Sequence, residues 1–222
     1  MTASIETTSS PVTTSIERLS ALAAWTERFA RASAEPRQFA IRERPFTTQV
    51  NLRGNAANPA FISAVRGAVG CEPALAANTF NSAAEAAVIW LGPDEWLVVD
   101  GPDRGEAIAT HLRKALAGVR HSVTDVSAAR TVIEIGGTDA RLVLAKGCPL
   151  DVHASVFAPP RTAQTLLAKA RVLIQCTDAA PVFRLFVLGS FADYLAAWLT
   201  DAAAECAASR GVGIDHVTAR LA

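Results

Sequence analysis

Few side chains in this sequence have the types and spacing that catalysis requires. Asp94 and Glu95 are adjacent carboxylates between Trp90 and Trp96, an arrangement that a general acid–base pair could use. The surrounding pattern favours a hairpin, because Gly92-Pro93-Asp94 is a turn signal between two apolar runs. We therefore predict that the two carboxylates lie at a hairpin tip and that the two tryptophans lie on its strands.

Cys148 is a second candidate, as a nucleophile. A reactive thiolate needs a base or a positive charge beside it, and the nearest one in the sequence, Lys146, is predicted to point elsewhere on a helix. The four histidines lack metal-ligand spacing, and Gly136-Gly137 lacks the third glycine of a dinucleotide-binding loop. We interpret Cys148 as a small apolar residue at a helix end, and predict no catalytic, cofactor or metal site.

Asp125 and Arg130 are the most polar positions on otherwise apolar predicted strands. They could form a buried pair that fixes the geometry of the strands, or they could face a partner chain. Together with Trp90, Asp94 and Trp96 they are our candidates for a subunit interface or for structural polar contacts. The sequence leaves these two interpretations open.

Hydrophobic periodicity arranges these residues in a repeated order of strand, strand and helix. His121–Leu150 contains two short apolar runs, a glycine break and an apolar helical face. The same order begins at Gln38, where Asn58-Pro59 predicts the start of a helix and Gly70 its end. Further along, residues 164–176 are predicted as one strand, or as a strand with a bend.

This order predicts an α+β fold of two related ββα-ββα halves with antiparallel sheets, because short antiparallel strands with helices on one face are not typical of a doubly wound parallel sheet. Residues 1–37 are predicted as an N-terminal arm and helix, 38–120 as the first half and 121–222 as the second, in one compact body. The first helix, predicted from Thr14 to about residue 34, has an apolar stripe. It would pack on its own domain or equally on another chain.

The composition bears on partners and compartment. The chain has 222 residues, of which 50% are hydrophobic and 19% charged, with a formal net charge of zero. That balance gives no electrostatic reason to expect a nucleic acid or an anionic membrane as partner. No apolar run approaches the roughly 18 residues of a membrane span, and the polar N-terminus is unlike a secretory signal. Four cysteines without a C-x-x-C clip predict reduced thiols in a cytoplasmic protein.

Several segments, in this order, resemble the gamma subunit of heterotetrameric sarcosine oxidase. The first three are WLGPDEWLV at Trp90–Val98, VTDVSAART at Val123–Thr131 and GCPLD at Gly147–Asp151. The resemblance continues through Arg161-Thr162, ARVLI at Ala170–Ile174 and SFADYL at Ser190–Leu195. It therefore covers most of the chain after about residue 38.

The resemblance implies a fold like the folate-binding aminomethyltransferase, or glycine-cleavage T-protein, domain. It implies alpha, beta and delta subunits as partners, with FAD, FMN, NAD and tetrahydrofolate bound there and no cofactor bound by this chain. Such a complex would oxidatively demethylate sarcosine to glycine, yielding hydrogen peroxide and either formaldehyde or 5,10-methylenetetrahydrofolate. This chain would be its non-catalytic structural subunit. The fold resemblance leaves an alternative, a free-standing folate-binding one-carbon transferase or folate-binding regulatory protein.

Overall fold

The computed structural model describes residues 18–211, and the side chains up to residue 208. The strands in this part of the chain are β1 (Ala40–Glu43), β2 (Thr47–Gly54), β3 (Phe80–Ala83), β4 (Ala86–Gly92), β5 (Glu95–Pro102), β6 (His121–Asp125), β7 (Arg130–Gly136), β8 (Thr162–Leu167), β9 (Ala170–Asp178) and β10 (Val182–Leu188). The helices are α1 (Thr26–Ala32), α2 (Pro59–Val69), α3 (Gly105–Ala115), α4 (Ala140–Ala145) and α5 (Ala192–Gly211). Short 3₁₀ turns precede α1, at Ala23–Trp25, and α5, at Gly189–Phe191.

After α1 the order ββαβββα occurs twice. All strand pairs are antiparallel, so the predicted α+β fold with two related halves and antiparallel sheets is confirmed. Each half nevertheless has one strand more than predicted. The short strand β3 has no counterpart in the prediction, and residues 164–176, predicted as one strand or a strand with a bend, belong to the β8–β9 hairpin.

The two halves exchange their first strands. Sheet A has the order β1-β7-β10-β9-β8, and sheet B, read in the same direction, has β6-β2-β5-β4-β3. The equivalent strands of each half therefore take equivalent places, except that β1 lies in sheet A and β6 in sheet B. The predicted boundary at residue 120 consequently separates two halves of the chain but does not separate the two sheets.

The sheets pack face to face and the helices cover their outer faces. Successive residues of a strand point to opposite faces, and on β5 Leu97 and Val99 face sheet A while Trp96 and Val98 face α2 and α3. The core between the sheets consists of Phe80, Ala87, Ile89, Leu97, Val99, Val132, Leu173 and Phe186. Helices α1, α4 and α5 cover the outer face of sheet A. The result is four layers with three apolar interfaces.

Helix α2 ends where its sequence predicts. The side chain of Asn58 accepts a hydrogen bond of 3.0 Å from Ala60 N, and Pro59 occupies the first turn. Gly70 ends the helix with φ of +82°, a conformation that glycine adopts without a Cβ clash.

The N-terminal helix is shorter than predicted. Its predicted cap, Thr14, lies outside the described residues, and α1 itself has only seven residues. Leu22, Trp25 and Phe29 are buried in the core of sheet A, and Trp25 Nε1 donates a 2.7 Å hydrogen bond to Asp193 on α5. The Leu22, Trp25 and Phe29 part of the apolar stripe thus packs on its own chain, whereas Leu19 is exposed. Between residues 18 and 211 no helix is both long and apolar enough to cross a membrane.

Candidate functional site

Trp96, one of the candidate interface residues, is fully buried inside this chain. Its Nε1 donates a 2.8 Å hydrogen bond to Ala74 O, and its ring centroid lies 5.5 Å from that of Phe61. Trp90 is its cross-strand partner and is partly buried against the same core. Both tryptophans therefore help to pack α2 on sheet B.

Asp94 and Glu95 do not form an acid–base pair. Asp94 is exposed in the turn between β4 and β5, and its backbone oxygen accepts from Gly54 N at 3.1 Å. Glu95 is the first residue of β5, where its carboxylate accepts from Asn51 Nδ2 at 2.7 Å and from Arg53 Nη2 at 2.6 Å. The hairpin prediction is correct, and Glu95 is engaged in the sheet.

Asp125 and Arg130 do not pair with each other. Asp125 Oδ1 accepts from the backbone N and the hydroxyl of Ser127, which closes the turn after β6. The same carboxylate lies against the start of α3, where a Cβ on Gly105 would collide with it. The alternative of an Asp125–Arg130 ion pair is wrong: Asp125 shapes a turn, and Arg130 lines an open slot on sheet A.

Cys148 lies buried in the core of sheet A, at the end of the segment that follows α4. Lys146 Nζ turns away from it, because it donates at 2.8 Å to the carboxylate of Glu205. Burial raises the pKa of the Cys71 and Cys176 thiols, which keeps both protonated at neutral pH. In the described part of the chain no His, Cys, Asp and Glu side chains form a group that could hold a metal ion.

The face of sheet A that looks toward sheet B carries three rows of side chains, set by the strand register. The central row contains Val132, Phe186 and Leu173, which lie opposite one another on β7, β10 and β9. This row is apolar and packs on sheet B. The rows on either side of it are polar, and they differ sharply from each other.

At one end three arginines surround Glu134, and we call Arg42, Arg44, Glu134 and Arg184 the Glu134 cluster. Arg42 and Arg184 face Glu134 from the neighbouring strands β1 and β10. The Nε atoms of Arg42 and Arg184 donate to the carboxylate at 2.7 and 3.2 Å, and Arg44 Nη1 lies 3.3 Å from it. The Glu134 side chain is only 10% exposed. The cluster thus binds β1, which belongs to the first half, to the sheet of the second half.

Electrostatics favour the ionised form of Glu134. Burial by itself would raise the pKa of this carboxyl, but hydrogen bonds from Arg42 and Arg184 and the charges of Arg42 and Arg44 outweigh it, so the pKa is lowered. Burial also lowers the pKa of Arg184, assisted by the positive charge of Arg44 and opposed by Glu134. Glu134 is therefore a carboxylate, and Arg184 depends on it for a counter-charge.

At the other end Arg130, Leu188, Arg171 and Leu166 form a row across four strands, which we call the Leu–Arg row. Leu188 lies opposite Arg130, and Leu166 opposite Arg171. The pairing of Val187 with Val172 places Leu188 next to Arg171. Leu166 and Leu188 are 46% and 43% exposed.

The arginines of the Leu–Arg row have no acidic partner in the described part of the chain. Among residues 18–211, neither Arg130 nor Arg171 donates a side-chain hydrogen bond or forms an ion pair. The row lines an open slot of about 620 Å³ where the face of sheet A continues past the apolar core between the sheets. Leu91 and Pro149 are among the other residues that line it. Four segments that carry the sequence resemblance therefore meet here, through Leu91, Arg130, Pro149 and Arg171.

Sequence reasoning singled out Arg130 alone in this row. Arg171 was assigned to a single strand, and only the β8–β9 hairpin brings it into line with Leu166 and Leu188. The available signal was indirect: Leu166 and Leu188 are large apolar residues at or next to strand ends, where the polar residues typical of turns are usual.

Comparison of the fold with solved structures identifies its class. An aminomethyltransferase T of the glycine cleavage system from Bartonella henselae matches with a TM-score of 0.58 at 14% identity, over 76% of this chain and 47% of that one. The fold is therefore that of an aminomethyltransferase T domain. At 14% identity the likeness concerns the fold alone.

Residues 53–205 match the sarcosine oxidase, gamma subunit family, and the chain belongs to this family. The sarcosine oxidase subunit gamma of Corynebacterium sp. (strain U-96) is 35% identical over 79% of this chain and 84% of its own length. A chain of the heterotetrameric sarcosine oxidase from Corynebacterium sp. U-96, in complex with pyrrole 2-carboxylate, superposes with a TM-score of 0.77 at 33% identity. That match covers 85% of this chain and 95% of the other.

Proposed function

We propose that this chain is the gamma subunit of a heterotetrameric sarcosine oxidase and assembles with alpha, beta and delta subunits. The observation that carries the proposal is the match to a chain of a solved heterotetrameric sarcosine oxidase, which spans 85% of this chain and 95% of that one. Family membership over residues 53–205 supports it independently.

The subunit has a structural role and no catalytic one. Its chemically capable groups are engaged in contacts that hold this fold: Glu95 binds Arg53, Asp125 binds Ser127, and Lys146 binds Glu205. The cysteines Cys71 and Cys176 are buried, with raised pKa values. These contacts support a chain whose contribution to the enzyme is its shape and its surfaces.

The whole complex oxidatively demethylates sarcosine to glycine in the cytoplasm. Its products besides glycine are hydrogen peroxide and either formaldehyde or 5,10-methylenetetrahydrofolate. FAD, FMN, NAD and tetrahydrofolate are bound by the partner subunits, and this chain holds none of them. The family resemblance supports this division of labour.

Co-expression of the chain with the three partner subunits tests the proposal. We expect a complex of four different chains in native mass spectrometry, with flavin absorbance and sarcosine-dependent peroxide formation. The chain purified alone should show neither flavin absorbance nor sarcosine turnover. A fully active, stable oxidase that assembles without this chain would exclude an obligatory structural role, and turnover by the chain alone would exclude a non-catalytic one.

A further inference from the structure

The Leu–Arg row combines arginines that have no acidic partner in the described part of the chain with leucines that are not covered by it. A guanidinium remains charged at any physiological pH and hydrogen-bonds carboxylates strongly, and among residues 18–211 neither Arg130 nor Arg171 has an acidic partner. The two leucines beside them are nearly half exposed. Arginine is enriched at the centres of protein–protein interfaces, and exposed apolar side chains bordered by polar ones mark interaction sites.

We propose that the Leu–Arg row is the docking surface for an acidic segment of a partner subunit in the oxidase. This inference rests on the proposed function, because it requires that the chain assembles with other subunits. The segment presents two carboxylates to Arg130 and Arg171 and an apolar side chain to Leu188 between them. Its binding neutralises the two guanidinium groups and covers both leucines.

The strand register gives the spacing of the carboxylates. Arg130 lies on β7 and Arg171 on β9, with β10 between them. Neighbouring strands are about 4.8 Å apart, so the two arginines start about 10 Å apart on the sheet. The docked segment therefore carries two carboxylates on either side of an apolar residue, able to reach arginines whose backbones are roughly 10 Å apart, and the slot of about 620 Å³ receives its side chains.

The charges argue against a second copy of this chain as the occupant. In a two-fold contact through this surface, the same patch would meet itself, and Arg130 and Arg171 would approach their own copies. Such a contact brings four positive charges together with no carboxylate from the row. A partner with complementary charge removes that repulsion, which is the arrangement that fixes specificity at an interface.

The test uses the complete oxidase, assembled from co-expressed subunits. In the double charge-reversal variant Arg130→Glu/Arg171→Glu, we expect the affinity of this chain for the other three subunits to fall at least about tenfold. The matched control is Arg66→Glu/Arg113→Glu, which reverses two arginines on α2 and α3, the helices on the outer face of sheet B. The control should assemble like the wild type.

The milder variant Arg130→Gln/Arg171→Gln separates assembly from folding. It introduces no repulsion, so it should fold like the wild type and still bind the other subunits more weakly, with a smaller dependence of affinity on salt concentration. If the wild type assembles and both double variants assemble equally well, the docking surface is disproved while the proposed function stands. If the wild type itself does not assemble, the proposed function fails.

Cross-linking identifies the occupant. Leu188 replaced by the photoreactive residue benzoylphenylalanine should cross-link, in the assembled oxidase, to a partner peptide that contains at least two Asp or Glu residues around an apolar one. A cross-link to a peptide without carboxylates, to another copy of this chain, or to another part of the same chain would overturn the proposal.

Discussion

The two ends of one face of sheet A both carry arginines, but they differ in whether a carboxylate lies beside them. In the Glu134 cluster three arginines share a carboxylate that is itself buried, and each lies within 3.3 Å of it. In the Leu–Arg row, four residues away along β7, two arginines have no carboxylate partner among residues 18–211 and lie beside exposed leucines. Between these ends the same face is a dry apolar core.

The difference shows which arginines receive a counter-charge from within this chain. A buried charge is stable only when a counter-charge and hydrogen bonds compensate its lost hydration, and the Glu134 cluster supplies both from β1, β7 and β10. We therefore assign its arginines to folding. Arg171 is exposed and Arg130 is partly exposed, so both keep contact with water and the Leu–Arg row can stay open at little cost to stability.

Replacing Glu134 should give the largest effect on the isolated chain. Glu134→Gln keeps the volume but leaves Arg44 and Arg184 without a counter-charge in a largely buried place. Removing one member of such a cluster costs about 3 kcal/mol, and we expect that loss in the free energy of unfolding, measured by urea denaturation. Glu72→Gln, which breaks an exposed pair with Arg66, should cost less than about 0.5 kcal/mol. Equal costs for the two variants would contradict the comparison.

The acid dependence of stability should also report on Glu134. Its pKa is lower in the folded chain than in the unfolded one, so the folded state binds fewer protons near that pKa. The stability that it contributes is fully present above about pH 4.3, the usual pKa of glutamate, and is lost as the pH falls through the lowered folded pKa.

A comparison of wild type and Glu134→Gln measures that contribution. The difference in free energy of unfolding between the two proteins should be constant from pH 7 to about pH 5 and should narrow below it. Urea denaturation at a series of pH values gives this difference directly. A gap that stays constant down to pH 3 would mean that folding does not lower the pKa of Glu134.

Local sequence signals predicted those helices and hairpins whose ends require particular residue types. Asn58 and Gly70 mark both ends of α2 because a side-chain cap and a positive φ demand particular residue types. The β4–β5 hairpin was equally clear from Pro93-Asp94. The β8–β9 turn was missed because Ala168 takes φ of +52° there, a conformation for which alanine gives no signal.

The pairing of strands that are distant in the chain could not be predicted from the sequence. Strand β3 has one buried apolar residue, Phe80, and so lacks an alternating pattern. The exchange of β1 and β6 between the sheets depends on partners about 90 residues away, such as Glu134 for Arg42. The candidate site could not be predicted for the same reason. Arg130 can be recognised as a polar residue on an apolar strand, but only the folded sheet brings it into one row with Arg171.

Substitutions in the Leu–Arg row should have the smallest effect on stability. Because Arg130 and Arg171 make no ion pair among residues 18–211, Arg130→Gln/Arg171→Gln should change the free energy of unfolding of the isolated chain by no more than about 0.5 kcal/mol. Urea denaturation at pH 7 of the wild type, this double variant and Glu134→Gln measures the change. A loss comparable with that of Glu134→Gln would mean that the row is also needed for folding. In that case the two ends of sheet A would differ only in how exposed their arginines are. Weaker assembly of the row variants could then result from misfolding and would no longer identify a docking surface.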